Sequence, residues 1–371
     1  MKQLTDEIKE LRRVLHGCPE LALKEYKTKE ILINYLRSNT ALRVEDRGAW
    51  FYAVWGADGS RYGADSGRHE VEAVPIAFRA DFDAVAGKDG KPGHYCGHDG
   101  HAAVLAGFGR LLSEEKPEKE VYLIFQPAEK IGRGAVLCSP LLKEKRITEI
   151  YGFHNIPGYR RGAVLLRRGT FACASTGLEI RICGTPSHAA YPEAGKNPAF
   201  ALSRLVTELP ELLAQPHRGV RLATVIGMEA GSDSYGVSAS EGTLRLTVRG
   251  EYENEFEELV DCISERARAY AKEEGMQCRI REIERFPATE NDTGCAARVE
   301  QAAERAGLSV LYPEEPLRWS EDFGYYLRET KGTFFGVGDG ETHPQLHTEQ
   351  FEFPDEIIGD VLRLYRELCR C

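Results

Sequence analysis

Leu4, Ile8, Leu11 and Leu15 recur at helical spacing in MKQLTDEIKELRRVLH, with charged residues between them, which predicts an amphipathic helix at the N-terminus. Short apolar runs then follow: VEAVPIAFRAD (71–81), EVYLIFQ (120–126) and EIYGFHN (149–155) read as buried strands. Helical patterns at 101–115 and around 133–143 alternate with them. That alternation predicts an α/β domain, with a mixed, mostly parallel central sheet and helices on both faces. From about Thr176 the rhythm changes. Strand GLEIRICG, helix NPAFALSRLVTELPELLA, strands RLATVIGMEAG and GTLRLTVRGEY, helix ENEFEELVDCISERARAYAKEEG and strand QCRIREIER give a β-α-β-β-α-β order. This is the ferredoxin-like α+β unit. Helix TGCAARVEQAAERAG, strand TFFGVG and a last helix ending near Cys371 then resume the first rhythm. The expected organisation is therefore a discontinuous α/β domain, 1–174 and 287–371, with an inserted domain at 175–286.

Composition narrows the function classes. A chain of 371 residues is too long for one ordinary core, and 42% apolar residues are enough to fill two. No apolar run reaches the length of a bilayer crossing and the first residues carry no export signal, so neither membrane nor secretion is expected. Ten scattered cysteines in such a chain predict reduced thiols in the cytoplasm, available as ligands. A net charge of −10 without a basic stretch argues against nucleic acid and leaves a small molecule as the expected partner. The stretch GADGSRYGADSGRHE (56–70) reads as a polar, glycine-rich surface loop.

In open α/β sheets ligands bind beyond the carboxyl ends of the strands. Four strand patterns end in groups with chemistry: Asp81 and Asp83 in RADFDA, Glu129 and Lys130 in FQPAEK, His154 in GFHN, and His347 in the late loop QLHTE. HYCGHDGH adds Cys96 and His98. Thiolate, imidazole and carboxylate are the donors zinc accepts, and a catalytic site keeps one position open for water. Each residue also has a plainer reading. Asp81 and Asp83 either close a turn or stand behind a ligand; Asp99 either orients His98 through its ring N–H or caps the following helix; His101 lies behind a ligand or opens that helix. His94 reads as a loop residue, and His16 and His343 have no context that gives them a role.

Eight motifs, in order along nearly the whole chain, resemble the metal-dependent amidohydrolases that include hippurate hydrolase, auxin-conjugate hydrolases and N-acetyl-diaminopimelate deacetylase, relatives of aminoacylase. They are RRVLHGCPELALKEYKT (12–28), RADFDA (79–84), HYCGHDGHAAVLAG (94–107), LIFQPAEK (123–130), GFHNIP (152–157), GTPSHAAYPEAGKNP (184–198), SEDFGYY (320–326) and LHTEQF (346–351). The resemblance implies a zinc-peptidase-like fold whose inserted domain is a lid and commonly the homodimer surface. It implies Cys96 as a bridge between two divalent ions, His98 on one ion, and His154 and His347 on the other. It makes Glu129 the general base and His188 a residue that contacts the substrate or its oxyanion. The donor types do not choose among zinc, manganese, nickel and cobalt. The implied activity is cleavage of an N-acyl amino acid or a small dipeptide-like amide.

One departure stands at the centre of that site. The family reads QPAEE, its second glutamate a metal ligand; this chain has Lys130 there. An ammonium ~4 Å from a dication costs about 8 kcal/mol at an effective dielectric near 20. Lys130 therefore turns away and leaves a weakened two-ion site, takes the vacated ion position beside Cys96 and Asp83 so that one ion remains, or marks a relative that binds a small acylated ligand without hydrolysing it. The second outcome is the one expected. Two further departures concern the substrate: the loop 85–93 is shorter than the family's, and the family's Asn-Val-Ile-Pro run appears as Gly236, Val237, Ser238 and Ala239.

Overall fold

The computed structural model describes residues 1–56 and 74–370. Nearly all of the glycine-rich loop, the first three residues of the 71–81 run and Cys371 lie outside the described residues. Two compact units result: Met1–Phe171 with Thr289–Glu314 and Asp322–Cys371, and Ala172–Ala288 with Glu315–Glu321.

The large unit is built on eight strands: β1 (Arg43–Asp46), β2 (Phe51–Trp55), β3 (Ile76–Asp81), β4 (Val121–Gln126), β5 (Glu149–Pro157), β6 (Val164–Leu165), β7 (Val310–Leu311) and β8 (Lys331–Gly340). Their order across the sheet is β1-β2-β4-β3-β5-β8-β6-β7. The central run β4-β3-β5-β8 is parallel, whereas β1, β2 and the β8–β6 pair are antiparallel. β3 and β4 are buried throughout, as strands covered on both faces are. Along β3 the side chains alternate: Ile76, Phe78 and Ala80 enter the apolar core, and Arg79 and Asp81 do not. Helices α1 (Lys2–His16), α2 (Tyr26–Asn39), α3 (His98–Glu115), α4 (Gly134–Cys138), α5 (Pro140–Glu144), α6 (Thr293–Arg305) and α7 (Ile358–Arg370) belong to the same unit, as does the single turn Gly324–Leu327. Ile8, Leu36, Leu105, Val299 and Leu362 carry α1, α2, α3, α6 and α7 into one core with the sheet.

Three expectations are corrected. The strand of the 71–81 run is Ile76–Asp81 within the described residues. The second helical pattern begins at His98, earlier than its apolar spacing suggests. The single helix around 133–143 is two short ones, because Pro140 has no N–H to continue α4 and instead starts α5.

In the small unit four antiparallel strands run in the order Arg221–Ala230, Glu241–Gly250, Ala174–Cys183, Gln277–Phe286. Helices Pro198–Leu213 and Glu253–Glu273 cover one face through Leu202, Leu205, Leu259 and Ile263 against Leu178, Ile180, Leu244 and Leu246. Arg221–Ala230 is an edge strand and exposes Val225, Ile226 and Met228. No helix among the described residues is long and apolar enough to cross a membrane. No disulfide joins the described cysteines.

A candidate metal centre at the strand ends

Asp81 ends β3, Glu129 follows β4 by two residues, His154 lies in β5, and His98 opens α3. The large unit thus brings Cys96, His98 and His154 together, with Sγ and imidazole nitrogens within 4.8 Å of one another, and does the same for Asp83, His98 and Glu129. Cys96 Sγ lies 3.5 Å from His154 Nε2 and 3.3 Å from His347 Nε2. Ligands of one tetrahedral ion, with Zn–S about 2.3 Å and Zn–N about 2.0 Å, stand ~3.5 Å apart. The Cys96–His154 and Cys96–His347 separations are therefore each those of two donors on one zinc-sized ion, and the three-donor group within 4.8 Å is Cys96, His98 and His154.

The hydrogen bonds prepare the imidazoles for that role. His98 Nδ1 lies 2.9 Å from Asp83 Oδ1 and His154 Nδ1 2.7 Å from the Asn155 carbonyl. Both acceptors need a proton on Nδ1, which leaves the Nε2 lone pairs aimed at the cluster. His98 Nε2 is buried with no hydrogen-bond partner among the described residues. An orphaned buried lone pair is costly, and a cation is the group it suits. Burial holds His98 and His154 well below the ordinary histidine value, so both are neutral donors. Partial desolvation, helped by the Lys130 ammonium, lowers exposed His347 to about 4. Burial pushes the Cys96 thiol up to about 12 although Lys130 opposes the shift, so its thiolate needs a cation beside it.

Lys130 turns inward. Its ammonium lies 2.7 Å from Glu129 Oε2, its backbone N–H donates to Asp83 Oδ2 at 3.0 Å, and its side chain is 22% exposed. Burial disfavours the ammonium, but Cys96, Glu129 and Asp83 outweigh it and hold the Lys130 pKa well above its ordinary value. Burial raises Glu129, against the pull of Lys130.

Backbone geometry fixes these positions. Gly97, between Cys96 and His98, has φ +92°, and a Cβ there would overlap Asn155 Oδ1. Ala128 (φ 54°) and His347 (φ 63°) hold the left-handed conformation without being glycine. Ala128 N–H donates to Glu25 Oε1 at 2.8 Å and His347 N–H to the Tyr95 carbonyl at 2.7 Å, which ties both strained residues down.

Behind the cluster lies a polar network that the motifs contain but that has no outward sign in the sequence. Buried Arg79 donates to Asp81 at 2.9 Å, to Asp322 at 2.8 Å and to Gln126 at 2.7 Å. Asp81 also accepts from His101 Nδ1 at 2.7 Å, and the other His101 nitrogen meets Asn155 Oδ1 at 2.7 Å. His101 therefore stands behind the donor cluster. Asp99 is a correction: it does not orient His98, a role Asp83 fills, but pairs with His16 Nδ1 at 2.8 Å and Arg12 Nη1 at 3.4 Å. His16, with no context in the sequence, gains one there. His94 is buried and bonds the Leu15 carbonyl, and His343 meets the Glu352 carbonyl. Arg79, Asn155 and Asp322 escaped sequence reasoning because an arginine inside an apolar run reads as a strand residue until its partners are located. His188 is in the small unit, exposed; its Nδ1 accepts from Ala190 N–H at 3.0 Å and it bridges to Val237 within the altered run.

The pattern that defines Peptidase family M20/M25/M40 matches residues 77–370. A Pediococcus pentosaceus protein named N-acetyldiaminopimelate deacetylase is 27% identical over 93% of this chain and 92% of its own length. Another of that name, from Halalkalibacterium halodurans, is 29% identical over 94% and 95%. Among solved structures, the Bacillus subtilis YXEP protein, described as a dinuclear metal binding peptidase from the M20 family, superposes with TM-score 0.81 at 23% identity, covering 99% of this chain and 98% of its own. An aminobenzoyl-glutamate utilization protein from Klebsiella pneumoniae gives TM-score 0.73 at 19% identity, covering 99% and 96%.

Proposed function

From the premise that this chain belongs to peptidase family M20/M25/M40, and is a metal-dependent hydrolase of amide bonds, we propose that it removes the acyl group from an N-acyl amino acid or splits a small dipeptide-like amide. One observation carries this reading: the Glu129 carboxylate stands at a shared strand-end cluster with His98, beside Cys96, His154 and His347. Cys96, His154 and His347 are the residues proposed to hold the ion, with His98 beside them. A bound divalent ion supplies a more acidic water and a polarised amide carbonyl.

The rest of the chemistry belongs to the side chains. Glu129 accepts the proton of the attacking water and delivers it to the leaving amine, a transfer its raised pKa favours. Asp83 holds the His98 ring with Nε2 free to donate its lone pair. Asp81, fixed by Arg79, anchors His101. His188 is proposed to contact the substrate or its oxyanion; His188→Ala is expected to lower kcat at least tenfold with metal content unchanged.

The relatives named N-acetyldiaminopimelate deacetylase make that acetylated diamino acid the first substrate to assay, with N-acetyl, N-benzoyl and dipeptide panels beside it, each offered zinc, manganese, cobalt or nickel. Turnover with at least one pairing is expected. The Lys130–Glu129 ion pair favours a second reading, a relative that binds a small acylated ligand without cleaving it. Metal uptake and ligand binding without turnover, in the wild type and in Lys130→Glu alike, would select it.

The protein is further proposed to be a cytoplasmic homodimer, on the lack of a disulfide among the described cysteines and on the exposed apolar residues of the edge strand Arg221–Ala230.

A further inference from the structure

We propose that the Lys130 ammonium is a built-in cation in the place of a second metal ion, so that one ion is held at Cys96, His154 and His347 and none at the Asp83–His98–Glu129 group, an assignment that rests on the hydrolase reading above.

The donor groups Cys96–His98–His154 and Asp83–His98–Glu129 share His98, and the carboxylate group is the one that contains the Lys130–Glu129 ion pair. At Cys96 the Nε2 atoms of His154 and His347 face the sulfur from 3.5 and 3.3 Å. At the other group both carboxylates are engaged. Asp83 Oδ1 accepts from His98 Nδ1 and Asp83 Oδ2 from the Lys130 backbone N–H. Glu129 Oε2 lies 2.7 Å from the Lys130 ammonium. A divalent ion placed there would have to displace that ammonium and meet it as a like charge at short range.

The ammonium is positioned to do part of what an ion would do. It neutralises Glu129, and its charge acts on Cys96 and Asp83, so three groups that burial would otherwise leave uncompensated share one cation. An ammonium is a hydrogen-bond donor and not a Lewis acid, so it does not acidify a water as a divalent ion does. Lys130 is thus a positioning residue for Glu129, and water activation is left to the single ion.

Zinc counting tests this directly. Wild-type protein stripped by chelation, reloaded with excess zinc, desalted and analysed by elemental mass spectrometry is expected to retain one ion per chain. Lys130→Glu, folded by circular dichroism, is expected to retain two; Cys96→Ala is expected to retain none. Two ions on the wild type would overturn the assignment, as would one on folded Lys130→Glu. No ion on the wild type under any loading would instead overturn the hydrolase reading itself. The wild-type count decides the matter even where a variant does not fold. Cobalt loading gives a second readout: one cobalt per wild-type chain, with a thiolate charge-transfer band that Cys96→Ala removes.

Discussion

At the scale of single residues, the site depends on groups whose partners are fixed by the fold more than by their neighbours in sequence. Glu129→Gln keeps the shape of the side chain and removes its capacity to accept a proton. Turnover should fall at least a hundredfold while zinc content and melting temperature stay close to wild type, and activity above a hundredth of the original would assign the base elsewhere. Gly97→Ala tests the backbone: a Cβ must displace Asn155 Oδ1 at a positive φ, so a loss of ~2–3 kcal/mol in urea unfolding and weaker zinc retention are expected. His16 gives a pH signature. Its hydrogen bond to Asp99, resisted by burial, raises its folded pKa above 6.5. The pair's stabilisation is therefore complete below pH 6.5 and lost as pH rises through the higher folded value. Urea midpoints measured from pH 6 to 9 should show that loss in the wild type and not in His16→Asn. The convergence of Cys96, His98, His154 and His347 was legible from chemistry and motif, and their side chains do lie together. The pairing of Asp99 was not. Adjacency to His98 suggested a bond, yet successive residues on a helix point 100° apart, and Asp99 turns to α1.

At the scale of elements, alternation and periodicity carried most of the information. The parallel strands β4 and β5 stand where their apolar runs predict, and β3 and the helix α3 do so apart from their first residues, because each must bury a continuous face. The break between α4 and α5 was present as Ser139-Pro140 but had been read through. The neighbours of each strand in the sheet were not legible, since pairing depends on crossover and not on local pattern. Edges carry a prediction of their own. The strand Arg221–Ala230 presents Ile226, 62% exposed, beside Val225 and Met228. Ile226→Asp should convert a dimer to a monomer in sedimentation velocity without lowering the helical circular dichroism, whereas a wild type that sediments as a monomer would remove this strand from consideration.

At the scale of the whole molecule, all of the proposed ion donors belong to the large unit and none to the small one. Ligand binding stabilises only what it binds, by about 2.7 kcal/mol at a hundredfold excess over Kd. Chelation should therefore lower amide protection in β3, β5 and α3 and leave the strands Ala174–Cys183 and Glu241–Gly250 nearly unchanged in hydrogen exchange. Equal deprotection of both would show that the units unfold as one.

β8 also dictates when the protein becomes safe from its own edges. It leaves the ribosome after β5 and β6, yet it lies between them. A nascent chain ending before residue 331 therefore carries β5 with an unfilled apolar border and lacks His347 altogether. Such a border pairs readily with other chains, so translational pausing ahead of β8 should increase chaperone demand and aggregation, and metal supplied at that moment should bring no relief.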